Sequence, residues 1–178
     1  MVKKIAITGP ESTGKSSLSR ALATHYGCDF VPEFAREYIE KLERPYTRED
    51  ILVIARQQIA LEESALKNAR GNFLFCDTDL LVTKVWSMHK YDTCDPWILQ
   101  QLEIPRYDLY LLCNVDLPWQ YDDQREHPHL RNFFFEWYKR ELEGYGFPYR
   151  IVSGSRQDRT ENALALITDY FTLSHDAD

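Results

Sequence analysis

Apolar positions along this chain switch repeatedly between strand-like and helix-like spacing. Residues 3–8 form a short apolar run that stops at Gly9, which reads as a strand meeting a turn. Residues 15–26 then read as a helix closed by Gly27. Residues 29–32 read as a short second strand and 33–42 as a second helix. Thr47-Arg-Glu-Asp50 resembles a capping box, and Ile51, Ile54, Ala55, Gln58, Leu61, Ala65 and Ala69 follow at helical spacing. This predicts one long helix ending at Arg70-Gly71. Residues 72–76 read as a third strand entering Asp77-Thr78-Asp79, with a helix from Leu80. Residues 107–113 are nearly all apolar, as in a strand covered on both faces, 148–152 read as a fifth strand, and 159–173 as a closing helix.

Strands that alternate with helices in this way imply an α/β fold with a central parallel five-stranded sheet and helices on both faces. The 178 residues fit a single domain. Residues 117–146 interrupt the rhythm with a connection longer than folding requires, dense in aromatic and charged side chains, including Arg125 and Arg131. They read as a mobile helical lid; the alternative is that Phe133, Phe134, Trp137 and Tyr138 simply pack as core.

Composition narrows the function classes. The 44% hydrophobic content is that of an ordinary globular chain, and no apolar stretch is long enough to span a bilayer. The N-terminal apolar run is too short for a signal peptide, so a cytoplasmic protein without a membrane partner is expected. A formal net charge of −7 argues against nucleic acid as a partner. Cys28, Cys76, Cys94 and Cys113 lack zinc-ligand spacing and read as reduced thiols.

The strongest motif is Gly9-Pro-Glu-Ser-Thr-Gly14-Lys15-Ser16, which satisfies G-x-x-x-x-G-K-[ST] in full between a strand and a helix. Two glycines let the backbone curl so that successive N–H groups point at phosphate oxygens, and the following helix adds its N-terminal partial charge. Phosphate-binding candidates are therefore Gly9, Glu11, Ser12, Thr13, Gly14, Lys15, Ser16 and Ser17. In this motif Lys15 reaches the β/γ oxygens and Ser16 ligates Mg²⁺. The fold class is thus a P-loop NTPase. A GTP switch would carry N-K-x-D and D-x-x-G motifs, and neither occurs.

Carboxylates that follow strands should emerge at the sheet edge where ligands bind in open α/β folds. Asp77 is the candidate metal-side carboxylate, whereas Asp79 serves either the metal or the cap of the next helix. Glu33 and Arg36, three apart after the second strand, either orient an acceptor hydroxyl and hold phosphate charge or form a surface ion pair. Arg125 and Arg131 are candidates to stabilise transferred-phosphoryl charge. The loop 153–159 is the positional candidate for the nucleotide base.

Five blocks occur in one order: Ile7-Thr-Gly-Pro-Glu-Ser-Thr-Gly-Lys-Ser16, Val31-Pro-Glu-Phe-Ala-Arg-Glu-Tyr38, Phe75-Cys-Asp-Thr-Asp79, Tyr107-Asp-Leu-Tyr-Leu-Leu-Cys113, and Pro118-Trp119 with Asp122-Asp-Gln-Arg125. Together they resemble the nicotinamide riboside kinase domain of NadR-type proteins over nearly the whole chain. The resemblance implies a nucleoside-kinase-like fold, ATP and Mg²⁺ as cofactors, and phosphorylation of nicotinamide riboside to nicotinamide mononucleotide. By motif position it implies that Lys15 and Ser16 hold phosphate and metal. Glu33, Arg36 and the Asp77/Asp79 pair then line the acceptor and metal side, and Arg125 belongs to the lid. Another nucleoside or nucleotide kinase, or an ATP-binding regulatory module without turnover, would share these features. No H-x-G-H-like nucleotidyltransferase motif occurs, so adenylyl transfer and operator binding are not expected. A pyridinium acceptor suits cation–π contact, for which Tyr38, Trp86 and Trp119 are candidates, although each serves equally as packing.

Overall fold

The computed structural model describes residues 2–175. In chain order it contains β1 (Lys3–Thr8), α1 (Lys15–Tyr26), β2 (Phe30–Val31), α2 (Phe34–Glu40), α3 (Arg48–Lys67) and β3 (Phe73–Asp77). There follow α4 (Leu80–Tyr91), α5 (Pro96–Leu102), β4 (Leu109–Cys113), α6 (Arg131–Gly144), β5 (Tyr149–Val152) and α7 (Arg156–His175). The five strands form one parallel sheet in the order β2-β3-β1-β4-β5. β1 is central, and its partner β3 is in a register that sets Ile7 beside Asp77.

Strand alternation divides the apolar residues between two faces. Ala6, Leu74, Cys76, Tyr110 and Leu112 face a core completed by α3, α4, α5 and α6. Ile5, Ile7, Phe75, Leu109, Leu111 and Cys113 face a second core under α1 and α7. Both faces are therefore covered, as the unbroken apolar run of β4 predicts. Cys76, Cys94 and Cys113 are buried free thiols and Cys28 is half-buried and free. Burial pushes the Cys113 thiol up to about 11, so it serves as packing. Among the described residues, no helix is long and apolar enough to cross a membrane.

The structure departs from the sequence reading in three places. First, the capping box at Thr47 and Asp50 starts α3 as predicted, but the helix stops at Lys67 instead of reaching Arg70. Asn68 ends it by donating from its side chain to the Ser64 carbonyl at 2.9 Å. The buried stripe also turns: Leu61 is exposed whereas Glu62 is buried. Second, α5 was missed, although Asp95 accepts from the Trp97 amide and Pro96 opens the helix, a start signal that could be read. Third, residues 117–146 divide: 114–130 are irregular, and α6 carries Phe134, Tyr138 and Leu142 into the core beside α4. The helical half thus packs as core, and the irregular half lies over the phosphate loop.

Candidate active site

The turn after β1 takes the shape a phosphate cradle needs. Gly9 and Gly14 have φ of 127° and 80°, and Ser12 is also left-handed at 56°. Gly14 opens α1 with no side-chain cap, and no acidic residue occupies the first turn. The first amides of α1 are therefore left for an anion. Thr13 Oγ1 and Lys15 Nζ both donate to the Pro10 carbonyl, at 2.8 and 2.7 Å. Close packing enforces the glycine at position 9, where a Cβ would lie 3.0 Å from the Cys113 carbonyl oxygen. Gly9→Ala is expected to lower stability by about 1–3 kcal/mol, measured as an earlier urea midpoint with unchanged slope.

Asp77 ends β3 and is buried, and its Oδ1 has no hydrogen-bond partner. Burial pushes its carboxyl up, and the Ser16 hydroxyl and the Lys15 and Arg20 charges partly offset that. An orphaned carboxylate oxygen beside the motif hydroxyl fits Mg²⁺, which takes one or two protein oxygens and completes its shell with phosphate and water. No cluster of three or more His, Cys, Asp or Glu side chains that could hold a metal ion exists among the described residues. Thr78 follows with φ of 69°, strained for a β-branched residue, and its amide donates to the Ile7 carbonyl at 3.0 Å. This kink turns Asp79 away to cap α4, where it accepts from Val82 N at 3.0 Å and Thr8 Oγ1 at 3.4 Å. Burial raises Asp79 to about 7. Of the two readings of Asp79, the geometry favours the cap.

A cleft of about 990 Å³ runs along this sheet edge. The predicted phosphate-loop residues Gly9, Glu11, Ser12, Thr13, Gly14, Lys15, Ser16 and Ser17 line it, as do Glu33, Arg36 and Arg125. Glu33 is half-buried, and desolvation pushes its carboxyl above the usual range against the pull of Lys15. Asp77 raises it further, and Arg36 lowers it. Glu33 therefore senses both phosphate-side and metal-side groups. Arg36 does not form the i,i+3 pair with Glu33: its Nη1 bonds Asp122 at 2.9 Å. Beyond them, Val82, Val85, Trp86 and His89 of α4 face Phe134 and Tyr138 of α6 to form an apolar lobe. These residues were missed, because the 82, 85, 86, 89 spacing reads as an ordinary buried helix face. Of the three aromatic candidates, only Trp86 lines the cleft. Tyr38 instead donates to Asp50 at 2.8 Å, and Trp119 lies under the Arg131 guanidinium.

The irregular stretch is tied down by the phosphate loop itself. Glu11 accepts from the amides of Glu126 and His127 at 3.1 and 3.3 Å, and Ser12 Oγ accepts from Gln120 N at 2.9 Å. Arg131 bonds the Leu117 and Ser12 carbonyls and so braces the stretch from below. Arg125 donates to the Gln120 carbonyl at 2.5 Å. At the opposite end, Arg156, Gln157 and Thr160 line the cleft near α1. The predicted 153–159 loop is shorter, because α7 begins at Arg156; Arg159 in its first turn is buried and committed to the carbonyls of Val152 and Gly154 and to Asp116, so it braces residues 153–155.

A phosphate loop on β1, an orphaned carboxylate on the neighbouring β3, and a cleft roofed from the β4–α6 connection agree with the family comparison, in which residues 4–159 match the AAA domain family. The chain belongs to this family. Curated proteins similar to this chain include the trifunctional NAD biosynthesis/regulator protein NadR of Salmonella typhimurium strain LT2 and that of Escherichia coli strain K12. Each is 27% identical over 130 residues, which are 70% of this chain and 31% of the relative. The chain thus spans about a third of those proteins. Two crystal structures of NadR protein, in complex with NR and with NAD and AMP-PNP, align at TM-scores of 0.77 and 0.74 and identities of 24% and 25%. Each alignment covers 95% of this chain and 49% of the other. A deoxyadenosine kinase from M. mycoides shares the fold, with a TM-score of 0.67 at 17% identity over 93% of this chain and 99% of its own.

Proposed function

We propose that this chain is a kinase that transfers the γ-phosphoryl group of ATP to nicotinamide riboside, giving nicotinamide mononucleotide. The observation that carries the reading is one cleft lined by a complete phosphate loop and Glu33, with the buried Asp77 behind it within electrostatic reach of Ser16, Lys15 and Glu33. Similarity to NadR, together with the NR and AMP-PNP bound in its crystal structures, supports the choice of donor and acceptor.

In this reading the first-turn amides of α1 and the Lys15 ammonium hold the donor phosphates. Ser16 and Asp77 hold Mg²⁺, which supplies charge neutralisation to the transferring group. Glu33 accepts the proton of the ribose 5′-hydroxyl, and burial makes it more basic than an ordinary carboxylate. Arg36 holds charge beside it, and Arg125 stabilises the phosphoryl group when residues 117–130 are closed as a lid. The 156–160 turn takes the adenine. At the acceptor end Arg36, Arg44 and Lys90 are each paired with a carboxylate, Asp122, Asp50 and Glu126 respectively. This leaves little spare positive charge for an acceptor phosphate and favours a nucleoside over a nucleotide. Trp86 offers a ring face to the pyridinium cation.

The test is incubation of the purified chain with MgATP and a panel of nucleosides and nucleotides, with products read by mass spectrometry. ATP-dependent conversion of nicotinamide riboside is expected to exceed that of every other acceptor. ATP binding without conversion of any acceptor would leave a regulatory module as the reading.

A further inference from the structure

Four buried side chains form a polar chain beneath the acceptor carboxylate, and the catalytic assignments leave it without a role. Gln58, Glu62, Lys4 and Tyr107 are each no more than 7% exposed. Lys4 Nζ lies 2.6 Å from Glu62, and Tyr107 Oη donates to both Glu62 oxygens at 3.0 and 2.8 Å. Gln58 Nε2 donates to Glu62 Oε1 at 3.2 Å, and Gln58 Oε1 accepts from the Phe34 amide at 3.0 Å. The orientation of the Gln58 amide is thereby fixed. A carboxylate only accepts, so the amide nitrogen must face Glu62, and the oxygen is left for Phe34.

Phe34 is the first residue of α2, and Glu33 is its N-cap. The first amides of a helix have no partner within it, and an N-cap side chain that satisfies one ordinarily reaches the second or third amide, not the first. Glu33 makes no such bond. The amide next to it is satisfied from α3 instead.

We propose that Gln58 is a positioning residue for phosphoryl transfer: by holding the Phe34 amide from α3 it fixes the start of α2, and with it the backbone that directs the Glu33 carboxylate to the acceptor hydroxyl. The chain ties this contact to Lys4 on β1, the strand that enters the phosphate loop. With Gln58 removed, the Phe34 amide loses its buried acceptor and the start of α2 is released, so that Glu33 leaves its place among Lys15, Arg36, Asp77 and Glu11, the charged groups that face it.

This inference rests on the proposed kinase reading, and the experiment separates the two. Gln58→Met keeps the volume and removes the acceptor. It is expected to lower kcat with nicotinamide riboside about 100-fold, with unchanged KM for MgATP and unchanged AMP-PNP affinity by calorimetry. Glu33→Gln introduced on top is expected to cost little more, because the first change has already displaced the carboxylate. Gln58→Glu retains an oxygen for the Phe34 amide, and its proton is held by the adjacent Glu62, so it should keep kcat within a few-fold of the wild type. The proposal is overturned if folded Gln58→Met turns over normally, if its loss adds fully to that of Glu33→Gln, or if AMP-PNP affinity falls in step with kcat. Should Gln58→Met fail to fold, a folded Gln58→Glu whose kcat falls about 100-fold overturns it. An unsubstituted chain that binds AMP-PNP and phosphorylates no nucleoside refutes the kinase reading, and this inference with it.

Discussion

Replacing Lys15 by alanine is expected to lower turnover by about two to three orders of magnitude while leaving the ligand-free melting temperature within a degree or so. The two halves of this expectation have separate causes. Lys15 supplies a positive charge at the point where charge shifts during transfer, and an interaction strengthened in the transition state appears in kcat. In the resting protein its ammonium only bonds the Pro10 carbonyl, which Thr13 Oγ1 also bonds. Removing it therefore leaves no buried acceptor without a partner, and the loop backbone keeps its shape through Gly9 and Gly14. The measurement is a steady-state assay with nicotinamide riboside alongside thermal melts of both proteins without ligand. A folded variant that turns over normally would remove the phosphate-loop lysine from the mechanism. A variant that melts many degrees lower would show that the loss reports on the fold.

How much of this site could be read in the sequence depends on how local the physics is. The phosphate loop was legible because its geometry is set by eight consecutive residues, two of them glycines that permit the required φ values. Asp77 was legible because a strand that alternates must deliver its last side chain to the sheet edge, and the β1–β3 pairing then places it beside the loop. The acceptor lobe was not legible. Val82, Val85, Trp86 and His89 have the spacing of any buried helix face, and only the approach of Phe134 and Tyr138 from a distant helix makes that face a cleft wall. Tyr38 and Trp119 were candidate ligands by type and position, but Asp50 and Arg131 engage them instead. Arg36 found Asp122, 86 residues away, in place of its neighbour Glu33. In each case a long-range polar contact overrode the short-range pattern.

The same distinction explains Gln58. Its place on the predicted helical stripe was correct, but a polar residue in an apolar stripe has no meaning until its partners are known. Those partners are the Phe34 amide on α2 and Glu62 within α3 itself, and through them an apparent break in the pattern becomes an anchor for the start of α2, next to Glu33.

Glu33 and Asp77 should fail in different ways when altered. Asp77 carries an orphaned oxygen and the nearby Ser16 hydroxyl, which assigns it to the metal side. Glu33 follows β2, the edge strand beside β3, and opens α2, and on that ground the proposed mechanism gives it the hydroxyl. Asp77→Asn is therefore expected to raise the Mg²⁺ concentration for half activity about tenfold or more, with a smaller effect at saturating metal. Glu33→Gln should leave the metal requirement nearly unchanged and lower kcat by about 10²–10⁴, the range for a general base. Its effect should appear equally in kcat and kcat/KM, since an interaction made only in the transition state leaves KM alone. Both variants should fold, because each amide occupies the volume of the acid it replaces and burial already disfavours the charged form at both positions. Crossed Mg²⁺ and nicotinamide riboside titrations on the two variants distinguish the roles. A metal shift in Glu33→Gln with an acceptor defect in Asp77→Asn would reverse the assignment. Normal turnover in both would make the carboxylates structural, and a base would then have to be sought among the other polar groups lining the cleft, with His89 the first to test.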